Sequence, residues 1–267
     1  MQNPKDVMNC RVMSIKNDQI IIIPARMSAS RLPGKPLAEI AGKTMIQHVW
    51  ERALAADIAP VYVATDHEDI AEVIRAAGGE AVMTRADHPS GSDRVFEAVQ
   101  TIDPEGRFQN VLNLQGDLPE MSSDIPVILS ETLLRSGADL ATLVAPATSH
   151  EAQLPQVVKA VVSWDESAAP TVGAIGRALY FSRAAVPTGA SDFLHHVGVY
   201  GWRREALARF VSLPPSPLEQ AEKLEQLRAM EAGMHIAVGM IAEAPGGIDT
   251  AEDLSAARSR LSAKGAD

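Results

Sequence analysis

Arg26, Arg31 and Lys35 fall in one short segment whose remaining residues include the small Ala25, Ser28, Ala29, Ser30 and Gly34. Three cations in one loop call for an anion, and small residues let the backbone approach it closely. The segment follows Ile20–Ile23, four isoleucines that read as a buried, parallel-type strand ended by Pro24. A basic loop at the carboxyl end of a first strand is where an open α/β sheet holds the phosphates of a nucleotide. A solvated basic surface is the plainer reading, and the position at a strand's end favours phosphate. Gly42-Lys43-Thr44 ends like a P-loop, but Leu37 stands where that motif needs its first glycine. Met45, Ile46, Val49 and Leu54 follow at helical spacing, so Thr44 reads as a helix N-cap.

Two carboxylates complement the cations. Val111–Gln115 reads as a buried strand, and Gly116 and Asp117 follow it. Gly116 permits close backbone approach, and a carboxylate at that strand end can hold Mg²⁺, which binds phosphate oxygens; capping of the next turn is the alternative. Asp249 follows Gly246 and Gly247 in a tight turn before a terminal helix. Thr250 can cap that helix, which leaves the ligand and cap readings of Asp249 evenly matched. The polar segment from Thr84 to Arg94 offers hydroxyls, backbone amides, Arg85 and Arg94 to a base or ribose, with Ser92 a candidate N-cap. Thr65-Asp66 ends the second strand, where a helix start is the stronger reading.

The elements that must position these groups alternate. Strands are expected at Ile20–Ile23, Val61–Ala64, Ala81–Met83 and Asn110–Gln115, and helices at Met45–Ala56, Asp69–Ala77 and Asp93–Thr101. Such alternation predicts an α/β fold, a mostly parallel sheet with helices on both faces. The second half is less regular, with strands expected at Asp139–Ala145, Val157–Val162, Ala178–Phe181, His196–Tyr200 and Ile236–Ala242. Helices are expected at Leu207–Val211, Leu218–Ala232 and Thr250–Ser262. We read residues 1–19 as a flexible leader and 20–262 as a single domain with an excursion near 180–215.

The 267 residues suffice for a sizeable core, and 46% hydrophobic with 22% charged residues is ordinary for a globular protein. A net charge of −10 argues against nonspecific nucleic-acid binding and makes the basic loop a local patch suited to a small anion. The single cysteine, Cys10, excludes an intrachain disulfide. The first 19 residues lack the apolar core of a signal peptide and no run is long enough to span a bilayer, so a cytoplasmic protein is expected. Met13 is a candidate second start.

Taken in order, these motifs resemble the 3-deoxy-D-manno-octulosonate (Kdo) cytidylyltransferases. The resemblance is carried by Ile22–Leu37, Val63–Asp69, Thr84–Arg94, Asn113–Asp117, Ala178–Arg183, His196–Tyr200, Pro215–Gln220, Glu222–Arg228 and Gly247–Thr250. It implies a Rossmann-like nucleotidyltransferase with a small dimerisation excursion. It also implies a Mg²⁺-dependent reaction of CTP with a Kdo-type sugar acid, giving CMP-Kdo and diphosphate for lipopolysaccharide biosynthesis. By resemblance, Arg26, Arg31 and Lys35 grip the triphosphate, with Ala25 and Ser28 beside them. Gln115 and the loop carrying Arg85, Ser90, Gly91 and Ser92 face the cytidine. Asp117 and Asp249 hold Mg²⁺ and, with Arg31 and Lys35, form the catalytic set. Arg183, His196, Tyr200, Glu225 and Gln226 contact the sugar acid, and a homodimer is implied. Tyr200 also fits an apolar strand, and Glu225 a solvated helix face.

The chain departs from the family pattern at Leu118, where a Glu is usual, and in the short connection between Val186 and Phe193, which has no basic residue. Three other readings compete: a nucleotidyltransferase for another sugar acid or a different nucleotide, a GT-A glycosyltransferase, and a non-catalytic nucleotide-binding regulator. The set from Ala178 to Arg228 opposes the first, the missing Asp-x-Asp at Gln115–Asp117 the second, and the presence of both aspartates the third.

Overall fold

A computed structural model describes residues 18–28, 32–164 and 170–264, the side chains of 262–264 excepted. Cys10, Met13, residues 1–17 of the expected leader, and Arg31 with Ala29 and Ser30 lie outside the described residues. The chain divides into two compact units, one built from residues up to 126 and from 246 onward, the other from 127–245.

The first unit runs β1 (Gln19–Ala25), β2 (Glu39–Ile40), β3 (Lys43–Thr44), α1 (Met45–Ala55), β4 (Val61–Thr65), α2 (Glu68–Ala76), β5 (Glu80–Met83), α3 (Gly91–Ile102) and β6 (Asn110–Asn113). Its strands lie in the order β5-β4-β1-β6, all parallel. Ile20–Ile23 are fully buried, as a central parallel strand requires. Pro24 does not end the strand, as the sequence reading expected, because β1 continues to pair with β4 through Ala25. The ladder to β6 ends at Ile22↔Asn113, and the Pro24 carbonyl faces Gly116 on that side. The proline therefore falls where no ladder donor is needed.

Thr44 caps α1 as expected, in a capping box with Gln47. The apolar stripe Met45, Ile46, Val49, Trp50 and Ala53 is buried at helical spacing. For α3 the cap is Ser90 and not Ser92. The Ser90 hydroxyl accepts from the Asp93 N–H at 3.3 Å, while Ser92 is buried in the first turn.

The chain leaves this unit within α4 (Asp124–Ser136), a helix absent from the sequence reading. The second unit contains β7 (Leu140–Ala147), α5 (Ser149–Ala152), β8 (Lys159–Trp164), β9 (Ile175–Ser182), β10 (Phe193–Arg203), α6 (Arg204–Ser212), α7 (Pro217–Glu222), α8 (Gln226–Glu231) and β11 (Ile236–Met240). Its strand order is β10-β7-β11-β9-β8, in which β7 and β11 are parallel and the other neighbours antiparallel. The α/β class is as expected, with the parallel pairing concentrated in the first unit. The single helix expected over Leu218–Ala232 is two, because Lys223 adopts the left-handed conformation (φ 57°) that ends α7.

The terminal helix α9 (Ala251–Lys264) returns to the first unit. Its buried Leu254, Ala257 and Leu261 cluster with Ile40, Met45 and Ile248, and Arg258 Nε donates to the Glu39 carbonyl at 2.8 Å. Among the described residues no helix is long and apolar enough to cross a membrane.

The ends of β4 and β5 are tied to α3 by one buried cation. Arg94 donates to Thr84 Oγ1 at 2.6 Å and to Asp66 Oδ2 at 2.9 Å, and Thr84 Oγ1 donates on to the Thr65 carbonyl at 3.1 Å. Asp66 is thus the counter-ion of Arg94, and His67 occupies the N-cap position of α2. The ion pair is nearly dry, with side chains 4% and 9% exposed. Removing one partner strands a buried charge, a loss of about 3–5 kcal/mol. Arg94→Ala should lower unfolding stability by that amount in denaturant titration, and adding Asp66→Asn should recover part of it.

Candidate active site

The first unit holds a cleft of about 270 Å³ at the carboxyl end of β1. Ala25 and Arg26 enter it directly from the strand. Gly34, at φ 71°, then turns the chain into a short 3-10 segment, Lys35–Leu37, through a left-handed conformation that glycine adopts without the strain an L side chain would bring. Backbone bonds from Gly34 to the Met27 carbonyl (3.4 Å) and from Lys35 to the Leu32 carbonyl (3.1 Å) fold the loop back on itself. The Lys35 side chain, 13% exposed, is thereby aimed into the cleft.

Lys35 Nζ donates to Asp117 Oδ2 at 2.8 Å and to Asp249 Oδ1 at 2.9 Å. Two carboxylates separated by nearly half the chain converge on one cation. Gly116 is what lets the first arrive, since a Cβ there would lie 2.9 Å from the Pro24 carbonyl oxygen. The second is fixed by the turn before α9. Ile248 N–H donates to the Asp117 carbonyl at 3.1 Å, tying one aspartate's backbone to the other's turn. Thr250 Oγ1 accepts from the Asp253 N–H at 3.1 Å, and Asp253 accepts from the N–H groups of Asp249 and Thr250. Thr250 therefore serves as cap, and the Asp249 side chain turns to Lys35. Burial works to raise the Asp253 carboxyl pKa, but those backbone and hydroxyl donors, with Lys35 nearby, hold it below the usual value.

Opposite this trio stands the start of α3. Ser90 and Gly91 line the cleft, as do Gln115 and Gly116 after β6. His88, which the sequence reading did not place in the site, lines it too, as does Arg94, which that reading offered to a base or ribose. His88 is bonded through Nε2 to Glu97, nine residues on and in α3. Burial works to raise the Glu97 pKa, yet the bonds from His88 and the Arg85 N–H carry it below the ordinary value. A histidine in the capping loop and a glutamate two turns into the helix was the available signal. Arg85 itself does not line the cleft. Its guanidinium is well exposed, 3.7 Å from both Asp87 and Glu97. Ser28 is exposed and Ser92 is buried in its helix, and neither lines the cleft.

The residues assigned to the sugar acid lie in the second unit. His196, on β10, is buried beneath Phe181 and Tyr200, at ring-centroid distances of 4.8 and 5.8 Å. Its Nε2 meets Thr142 Oγ1 at 2.9 Å and its Nδ1 faces Gln226 Nε2 at 3.5 Å. Burial lowers the His196 pKa to about 3, so the ring is neutral at ordinary pH. Burial, together with the negative charge of Glu225, pushes the Tyr200 hydroxyl well above its usual value. His196, Tyr200, Glu225 and Gln226 thus form one neighbourhood.

Arg183 is engaged differently. Its guanidinium donates to the carbonyls of Glu222, Pro155 and Lys223, and its N–H to Glu222 Oε2. Three guanidinium bonds to backbone oxygen commit it to tying the end of β9 to the break between α7 and α8.

Residues 20–236 match the family described as cytidylyltransferase. A 3-deoxy-manno-octulosonate cytidylyltransferase of Parvibaculum lavamentivorans is 53% identical over 243 residues, 91% of this chain and 92% of the relative. One from Rhodopseudomonas palustris (strain BisB5) is 55% identical, covering 91% and 97%. A solved CMP:2-keto-3-deoxy-manno-octonic acid synthetase complexed with CTP superposes with a TM-score of 0.83 at 40% identity, covering 92% of this chain and 99% of that one. With a cleft that gathers cations and paired carboxylates at the end of its first parallel strand, and with these relatives along nearly its whole length, the chain belongs to the cytidylyltransferase family.

Proposed function

We propose that this protein transfers the cytidylyl group of CTP to the anomeric hydroxyl of 3-deoxy-D-manno-octulosonate, releasing diphosphate. The observation that carries the reading is the convergence of Asp117 and Asp249 on Lys35 within a cleft that also presents Arg26. The close relatives, all named for this reaction, supply the nucleotide and the sugar.

The paired carboxylates fit Mg²⁺. They are hard oxygen donors already drawn to one cation, and among the described residues no group of three or more metal-ligating side chains competes. Mg²⁺ takes one or two carboxylates and completes its shell with water and phosphate oxygens. Asp117 and Asp249 would hold it, and when bound it supplies charge neutralisation at the triphosphate. Lys35 meanwhile keeps the two carboxylates together, because its ammonium offsets their mutual repulsion.

Arg26, Arg31 and Lys35 supply positive charge along the phosphates. The exposed N–H groups at the start of α3, at Ser90 and Gly91, and the Gln115 amide face the pyrimidine nucleoside. Gln226, Glu225 and Tyr200 face the hydroxyl-rich sugar acid, with His196 behind them. The sugar hydroxyl gives up its proton to water as its oxygen bonds to the α-phosphorus, and the bond from that phosphorus to the departing diphosphate oxygen breaks, so positioning and charge stabilisation carry the rate. We further place the protein in the cytoplasm, where its nucleotide substrate is made, and read it as a homodimer that uses the segment near 180–215.

Three outcomes are expected. Diphosphate release should be fastest with CTP and the eight-carbon 3-deoxy sugar acid, in a panel crossing four nucleotides with eight- and nine-carbon acids. Preference for a purine triphosphate, or no release with any acid, would remove the reading. Asp249→Asn should keep the fold by circular dichroism and lose at least about 100-fold in turnover, with Asp117→Asn/Asp249→Asn little worse than either single change. Near-normal turnover of Asp249→Asn would leave only Asp117 as a ligand. Light scattering at micromolar concentration should give twice the 28.5 kDa chain mass, and the monomer mass would reject the dimer.

A further inference from the structure

Thr142 sits opposite an irregularity in β10. Leu143 pairs with Val197 and the adjacent Thr142 with Tyr200, so Gly198 and Val199 are inserted between neighbouring rungs of the ladder. Such an insertion disrupts the ladder and leaves backbone carbonyls in need of donors. Two of them, on Val197 and Val199, lie 3.1 and 2.8 Å from Thr142 Oγ1. Thr142 is fully buried, so these contacts have no water to replace them.

A threonine hydroxyl has one proton and two lone pairs. Carbonyls only accept, so the Thr142 proton goes to one of them, the nearer being Val199. The contact at 2.9 Å from Thr142 Oγ1 to His196 Nε2 then has one consistent sense, with Nε2–H donating and the hydroxyl accepting. The other side of the ring agrees. Nδ1 faces the Gln226 amide nitrogen, which has only protons to offer, at 3.5 Å. A neutral imidazole carrying its proton on Nε2 satisfies both partners, and neither alternative protonation does.

We infer that Thr142 is a positioning residue for the sugar-acid site: it fixes His196 in the Nε2–H form, and His196 in turn fixes the carboxamide of Gln226. With its nitrogen turned to Nδ1, Gln226 directs its carbonyl oxygen away from the ring, as an acceptor for a substrate hydroxyl. His196 then orients a neighbour and is not the base that activates the sugar. The identity of the substrate rests on the function proposed above, whereas the tautomer does not.

The test has two arms. Nuclear magnetic resonance of protein carrying isotope-labelled histidine distinguishes protonated from unprotonated ring nitrogens, with His196 assigned by the loss of its signals in His196→Asn. The wild-type protein, without substrate, should show Nε2 protonated and Nδ1 bare. Thr142→Val should show a mixed or inverted pattern, and Thr142→Ser, which keeps the hydroxyl, should restore it. In steady-state kinetics Thr142→Val should raise KM for the sugar acid about tenfold, the size of one misdirected hydrogen bond, with KM for CTP unchanged and Thr142→Ser near wild type.

Nδ1–H in the wild type overturns the inference. So does a Thr142→Val protein with an unaltered tautomer, or one whose KM values for both substrates move together without rescue by serine. Should Thr142→Val fail to fold, the wild-type and Thr142→Ser spectra still decide the tautomer. Should the wild-type protein turn over no sugar acid at all, the proposed function falls while the resonance arm stands.

Discussion

Lys35 between Asp117 and Asp249 is the contact around which the first unit is arranged. Two carboxylates drawn to a common point repel each other, and in a partly buried cleft that repulsion is poorly screened. An ammonium between them resolves it. The three residues come from the loop after β1, the loop after β6 and the turn before α9, so the folding of all three segments is coupled to one electrostatic balance. The apolar cluster beneath, with Ile40, Met45, Ile248 and Leu254, holds the terminal helix where Asp249 can reach. The Ile248–Asp117 backbone bond sets the register of the two turns.

A second, drier ion pair does a different task. Arg94 and Asp66 are nearly excluded from solvent, and Asp66 Oδ1 is buried without a hydrogen-bond partner among the described residues. A buried pair of this kind contributes little net stability compared with apolar packing. Its effect is geometric. The guanidinium spans the ends of β4 and β5 and the first turn of α3, so the start of that helix, with Ser90 and Gly91, is fixed relative to the strands that carry the rest of the cleft.

Much of this was legible in the sequence, for identifiable reasons. Four consecutive β-branched isoleucines ended by a proline point to a doubly buried strand, and the cations after them marked residues that line the cleft. Thr44 with Gln47 three residues on is a capping box readable by eye. What was not legible depends on partners remote in the chain. Pro24 looked like a strand end because the sequence does not show that β6 stops two residues earlier. The break at Lys223 was hidden because a left-handed lysine has no compositional signature, and the Glu, Gln and Leu content on both sides is helical. Asp66 read as a helix start because its partner Arg94 lies 28 residues away. His88 entered no site reading because its environment is set by Glu97 one helix surface over. Thr142 carried no signal at all, being an ordinary β-branched residue in a strand.

The two departures from the family pattern illustrate how local chemistry is redistributed. Leu118 follows Asp117 where a glutamate is usual, and it is buried, with Gly247 the position a side chain would bring into contact with it. An apolar residue there packs under the turn that carries Asp249. Charge reappears close by, because Glu120 pairs through both carboxylate oxygens with Arg260 of α9. The terminal helix is thus anchored by an ion pair two residues further along, and two carboxylates accept hydrogen bonds from Lys35. A third carboxylate in that position would add negative charge to a point that one lysine already neutralises only in part. Leu118 therefore adds no charge to the balance of Lys35, Asp117 and Asp249, while the tie from this loop to the helix is made by Glu120.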